Sequence, residues 1–193
     1  MQPRLILAST SAYRRTLLEK LGLPFTTAVS EVDESPQAGE NPSTRAQRLA
    51  MEKALAIARI TETGLVIGSD QVACLGDTLL RKPHTRHNAI EQLRQASGAT
   101  VEFHTAVCVV DAETGRLKSA LDVCRVSFRS LSLQQIERYV DREQPLDCAG
   151  SFKSEGLGIT LFTRIDGEDP NALVGLPLIK LTSILLEFGF EIP

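Results

Sequence analysis

The residues of this chain suited to phosphate chemistry fall into two sets. Arg14, Arg15, Lys53 and Lys82 are cations; Glu31, Asp33, Glu34 and Asp70 are acids. Guanidinium and ammonium groups hold phosphate oxygens through charge-assisted hydrogen bonds. Mg²⁺ takes one or two carboxylates and completes its shell with water and phosphate oxygens. Both sets gathered in one crevice would suit a polyphosphate, with the Asp70 carboxylate orienting or deprotonating an attacking water. There is no Walker A pattern, so the P-loop route to nucleotide binding is excluded, and no Ser-His-Asp spacing can be defended.

These residues need elements to position them. Leu5 to Ala8 is a continuous apolar run, which predicts a short buried strand. Ser9, Thr10 and Ser11 follow, and any of them can cap a helix that continues through Leu21 to a stop at Gly22. Arg14 and Arg15 then lie in the first helical turns, where positive charge is unfavourable to the helix dipole. An anion bound at the hydroxyl-rich turn relieves that cost, so backbone N–H groups, hydroxyls and two guanidinium groups together read as a phosphate site. The alternative is two solvated arginines on an amphipathic helix. Phe25 to Val29 predicts a second strand running into the acids at 31–34.

Asn41-Pro42-Ser43 opens a long helix, with Asn41 or Ser43 as cap. Its apolar stripe is Ala46, Leu49, Ala50, Ala54 and Ile57, and Lys53 falls on that inward face. A lysine there needs an anion or a path to water. Leu65 to Gln71 is an apolar run that reaches Gly68 and Ser69 and then Asp70, which places the acid at a strand end, where ligands of open α/β sheets sit. Asp70 capping a turn is the plainer alternative. Val72 to Leu75 and Thr78 to Leu80 flank Gly76-Asp77, a hairpin, and Pro83 keeps Lys82 extended.

Further along, Thr85 to Ala96 is amphipathic. Val101 to Val110 and Leu117 to Ser127 predict an antiparallel pair with one exposed face. Ser132 caps a helix through Val140. Residues 147–158 form a glycine-rich loop carrying Lys153 and Glu155. Ile159 to Ile165 predicts a strand, residues 166–171 a structural polar loop, and Leu178 to Phe188 a last helix with Pro177 at its first turn. His84 and His87 read as surface residues, with no third ligand nearby.

The totals set the frame. The chain has 193 residues, 42% hydrophobic and 23% charged, and carries a net charge of −3. That size fits one domain, or one with a small lobe. The charge excludes bulk nucleic-acid binding, and no apolar run approaches membrane-spanning length. Cys74, Cys108, Cys124 and Cys148 show no Cys-x-x-Cys spacing, which argues against zinc and predicts small core hydrophobes in a reduced, cytoplasmic setting.

Six segments together resemble the Maf-like nucleotide pyrophosphatases. They are Leu5-Ile6-Leu7-Ala8-Ser9-Thr10-Ser11-x-x-Arg14-Arg15, Glu31-Val32-Asp33-Glu34, Arg48-Leu49-Ala50-x-x-Lys53-Ala54, Gly68-Ser69-Asp70, Lys82-Pro83 and Val174-Gly175-Leu176-Pro177. The resemblance runs the length of the chain. It implies an α/β fold with an elongated, mixed, twisted sheet flanked by helices, as one domain over residues 1–193 with two lobes around a central cleft. It implies hydrolysis of a nucleoside triphosphate between its α and β phosphates, a divalent metal cation such as Mg²⁺, a cytoplasmic location and often a homodimer. It also makes Asp70 the proton acceptor, Ser9, Arg14, Arg15, Lys53 and Lys82 substrate-binding residues, and Glu34 with Asp70 the metal ligands.

Three positions depart from the commonest family pattern. Tyr13 stands where many members have an arginine, Gln71 follows Asp70 where many have threonine, and Glu155 replaces a glutamine. Those departures resemble the subgroup of 7-methyl-GTP pyrophosphatases. A 7-methylated guanine is cationic, and an aromatic face such as Tyr13 attracts it by roughly 0.5–2 kcal/mol. Glu155 can accept from guanine N1–H and N2–H, which thymine and uracil do not offer in that arrangement. Alternative readings are a dTTP/UTP or deaminated-purine triphosphate pyrophosphatase, or a non-catalytic nucleotide-binding regulator of cell division.

Overall fold

A computed structural model describes residues 3–192. Its strands are β1 (Leu5–Leu7), β2 (Phe25–Thr27), β3 (Leu65–Leu75), β4 (Thr78–Leu80), β5 (Thr100–Asp111), β6 (Leu117–Phe128) and β7 (Phe162–Asp166). Its helices are α1 (Ala12–Glu19), α2 (Pro42–Ala58), α3 (Arg86–Ala96), α4 (Leu133–Glu143) and α5 (Leu178–Glu187). The strands form one mixed open sheet in the order β2-β1-β3-β5-β6-β7, with β4 paired to β3. β1 is parallel to β2 and β3, whereas β4 and β7 are antiparallel to their partners. No helix among the described residues is long and apolar enough to cross a membrane.

The chain divides into two compact units. The first takes the chain through Gln71, Thr105–Asp122 and the chain from Asp169 onward. β1 is buried at all three positions, as a strand paired on both edges requires. Leu5 and Leu7 of β1, Leu65 and Ile67 of β3, Leu17 and Leu18 of α1, and Leu181 and Leu185 of α5 share one apolar core. Ser11 is the residue that caps α1, accepting from the Arg14 amide. Asn41 caps α2, with Pro42 in the first turn, where its missing N–H costs nothing.

The second unit is Val72–His104 with Val123–Glu168. Its core is aromatic: Phe103, Phe128, Phe152 and Phe162 meet edge to face with ring centroids 4.7–5.6 Å apart. Such pairs add about 0.5–1.5 kcal/mol each beyond burial. Ser132 and Gln135 form a reciprocal capping box at the start of α4.

Four expectations need correction. β3 is one continuous eleven-residue strand, so Asp70 sits mid-strand and not at an end. Ladder pairing carries the chain through Gly68, because the missing Cβ is what the neighbouring helix requires. A Cβ there would collide with the Ala50 carbonyl and come within 2.6 Å of the Ala54 nitrogen, both in α2. The exposed face expected of the long pair is kept by β6, which alternates, but not by β5, where eight consecutive residues are buried from Phe103 to Val110. Residues 157–161 close into a 3₁₀ turn, and the strand begins only at Phe162. Cys148 is not a core hydrophobe but only partly buried, whereas Cys74, Cys108 and Cys124 are buried as expected.

Candidate active site

Lys53 and Asp70 are the centre of the first unit's polar chemistry. Strand alternation sends Val66, Gly68 and Asp70 to one face of β3 and Ser69 and Gln71 to the other. On the first face the glycine admits α2 close to the sheet, which brings Lys53 over Asp70. The Lys53 Nζ lies 2.7 Å from Asp70 Oδ1 and 2.6 Å from Glu34 Oε1. Lys53 and Asp70 are each 7% exposed, so the inward lysine has found its anion. Burying that ammonium would be costly without the two carboxylates.

Glu34 reaches this point because its loop is pinned to α2. Arg45 Nη2 donates to the Glu34 carbonyl at 2.8 Å, and Arg48 Nη2 donates to the Ser35 carbonyl at 3.1 Å. Arg48 also grips Glu40 with Nε at 2.6 Å and Nη2 at 3.0 Å, and Glu52 with Nη1 at 2.9 Å. Its hydrogen bonds hold the Glu40 carboxyl below the usual carboxylate range. Asp33 folds back onto the Ser35 amide at 2.9 Å, which likewise lowers its carboxyl. Glu31 is exposed. Arg45 and Arg48 are positioning residues that charge type alone did not reveal. Their signal was the three-residue spacing that puts both on one side of α2, facing the acidic loop.

The opposite face of β3 meets the 169–177 segment. Ser69 Oγ bonds the carbonyls of Ala106 at 2.8 Å and Gly175 at 3.1 Å. Gln71 Nε2 donates to Thr105 Oγ1 and to the carbonyls of Ala172 and Leu173, each at 3.0 Å. The Gly175 carbonyl also accepts from Arg14 Nε at 2.9 Å. Gly175 holds φ at +127°, a conformation that L side chains rarely adopt. Burial pulls the Arg14 guanidinium below its ordinary value, while Asp70 and Glu34 act to raise it. That opposition places Arg14 within electrostatic reach of both carboxylates.

The 166–171 loop is structural, as its composition predicts. Fully buried Asp169 accepts from the Asn171 amide and side chain and, at 2.6 Å, from the Ile179 amide at the start of α5. Ser9 is buried, with Oγ accepting from the Ser11 amide at 3.1 Å. Tyr13 is half-buried on α1. Arg15 turns outward and pairs with Glu19 at 3.2 Å. There it lines a hollow of about 480 Å³ with Leu23, Phe25, Thr26 and Thr27.

In the second unit Lys82 is exposed after β4 and makes no ion pair among the described residues. Glu155 is also exposed, with Ser154 Oγ donating to it at 3.3 Å. His84 and His87 are exposed.

A family model described as "Maf-like protein" matches residues 4–188. The chain belongs to the Maf-like family. It is 58% identical over 193 residues to a protein of Xanthomonas oryzae pv. oryzae named 7-methyl-GTP pyrophosphatase, covering 100% of both chains. It is 56% identical over 190 residues to one of the same name from Aromatoleum aromaticum, covering 98% of each. Among solved structures, the Staphylococcus aureus Ham1 protein matches with a TM-score of 0.56 at 13% identity, over 97% of this chain and 100% of that one. At that identity the likeness establishes the fold.

This Maf-like protein gathers two of the oxygen donors that a small, hard cation takes, and here the Lys53 ammonium holds them. Two carboxylates, Glu34 and Asp70, converge on the one Lys53 Nζ. A pair of acids is the usual protein complement for Mg²⁺, which keeps several waters and rarely takes an all-protein shell.

Proposed function

We propose that this chain hydrolyses 7-methyl-GTP to 7-methyl-GMP and pyrophosphate. The observation that carries the reading is the buried Lys53 held between Asp70 and Glu34, with Arg14 close enough to feel both acids. The names of relatives at 50–58% identity over nearly the whole chain support the choice of substrate.

In this reading Asp70 is the base. Lys53 fixes Oδ1, and the carboxylate takes the proton of a water whose oxygen attacks the α-phosphorus. The α–β bridging P–O bond breaks and the pyrophosphate departs with that oxygen. Arg14 and Lys53 stabilise the negative charge that develops on the phosphates. The Gly175 carbonyl orients Arg14 through Nε. Ser9 belongs to the phosphate-binding turn, and Arg15 joins it by turning from Glu19. Bound at Glu34 and Asp70, a divalent cation would supply Lewis-acid neutralisation of phosphate charge. On the family resemblance alone, Lys82 is assigned to phosphate, and Tyr13, Gln71 and Glu155 to selection of the base; for Gln71 that assignment is indirect, through the 172–173 carbonyls its amide holds.

Pyrophosphate release across 7-methyl-GTP, GTP, UTP, dTTP and ITP, with and without Mg²⁺, tests the reading. The expected result is turnover that prefers 7-methyl-GTP and requires the cation. Nucleotide binding without turnover in the unaltered protein would point instead to a regulator.

A further inference from the structure

Cys74 on β3 and Glu102 and His104 on β5 bring three different metal-ligand types together in the second unit. Glu102 and His104 are two apart and share one face of their strand, and β3 is the adjacent strand. Their ligand atoms all lie within 4.8 Å of one another. The Cys74 Sγ is 3.7 Å from His104 Nε2, and Glu102 Oε2 is 3.4 Å from the same nitrogen.

Those spacings pass for a weak His104–Glu102 hydrogen bond and a thiol–imidazole contact, and they are also compatible with ligands around an ion. Charge-assisted N–H···O⁻ bonds run about 2.7–2.9 Å, and the His104–Glu102 pair is well outside that. Zinc at about 2.3 Å from sulfur and about 2.0–2.2 Å from nitrogen and oxygen sets tetrahedral edges of about 3.6 Å for S···N and about 3.4 Å for N···O. Both observed edges agree. The Cys74 Sγ and the Glu102 oxygen lie within 4.8 Å of each other, and Glu102, 36% exposed, has room to adjust.

We propose that Cys74, Glu102 and His104 form a zinc site that ties β3 to β5, with a fourth position open to water. The ligand set favours Zn²⁺ over Mg²⁺, because a thiolate and an imidazole are soft partners. Charge supports the choice as well. One thiolate, one carboxylate and a neutral imidazole balance Zn²⁺, as a largely buried centre requires. Binding displaces the Cys74 Sγ–H proton to solvent. Arg125 Nε donates to the other Glu102 oxygen at 2.7 Å and orients the carboxylate from outside the ligand shell. This site is independent of the Glu34–Asp70 pair and of the hydrolytic reading.

Metal-free full-length protein titrated with Co²⁺ and Zn²⁺ tests the proposal. The expected result is one equivalent bound, a thiolate-to-cobalt charge-transfer band in the near ultraviolet, and a zinc-dependent rise in Tm. Cys74→Ser should abolish the band and Cys108→Ser should leave it. Glu102→Gln changes a partly exposed residue and keeps the fold testable should Cys74→Ser misfold; its zinc affinity should fall roughly a hundredfold or more. Absence of the band in the unaltered protein, or zinc affinity unchanged in Cys74→Ser and Glu102→Gln, overturns the proposal.

Discussion

Lys53 Nζ lies 2.7 Å from Asp70 Oδ1, with both side chains almost wholly withdrawn from water. The pair joins a helix to the middle of a strand, and its second acid, Glu34, comes from a loop. Asp70→Asn keeps the shape but removes the proposed proton acceptor. Pyrophosphate release should fall about 10²- to 10⁴-fold while nucleotide binding persists. Lys53→Met leaves Asp70 buried without its counter-charge and should cost about 3–5 kcal/mol of stability, read by urea denaturation.

Base choice is tested at Glu155 and Tyr13. Glu155→Gln replaces an ionised acceptor with a neutral amide that also donates, and should shift the ratio of 7-methyl-GTP to UTP turnover toward UTP. An unchanged ratio would remove Glu155 from base selection. Tyr13→Leu should raise KM for 7-methyl-GTP more than for GTP, by up to roughly thirtyfold if the full cation–π attraction is lost.

Acid should loosen the 31–40 loop. The folded Glu40 carboxyl titrates below its ordinary value because Arg48 hydrogen-bonds it. The folded state therefore binds fewer protons than the unfolded chain. The stability this contributes is present above the unfolded carboxyl value and is lost as pH falls through the lower, folded one. In Tm measurements from pH 6 to pH 3, the gap between the unaltered protein and Glu40→Gln should narrow with falling pH. Arg48→Ala should remove the loop anchor at all pH values and raise KM by releasing Glu34.

Gly68→Ala tests the close approach of α2 to β3. The added methyl meets the backbone of Ala50 and Ala54, which cannot rotate away. Destabilisation of about 1–3 kcal/mol is expected from overpacking. Activity should fall further than stability alone explains, because α2 carries Lys53. Retained activity with a lowered Tm would show that the helix shifts without moving Lys53 from Asp70.

Much of this was legible in the residues themselves. The apolar stripe of α2 placed Lys53 inward, and a buried lysine demands an anion wherever it lies. The strand, hydroxyl turn and helix of residues 5–19 followed from local signals, as did the caps at Asn41 and Ser132. Asp70 was harder to place, because small residues such as Gly68 and Ser69 suggest a chain break when no neighbour is in view. The strand continues because α2 packs against that gap. Arg15 and Gln71 show the same limit, since their types suit a substrate but Glu19 and the 172–173 carbonyls engage them first.

By itself the sequence determined the chemical inventory, most of the elements and the face on which each side chain stands, since those follow from composition, caps and periods of 3.6 or 2. Only the tertiary structure decided that Lys53 bridges Asp70 and Glu34, that Gly175 orients Arg14, and that Cys74 meets Glu102 and His104. Periodicity specifies a direction from the backbone. The partner waiting there comes from another part of the chain, and long-range packing alone selects it.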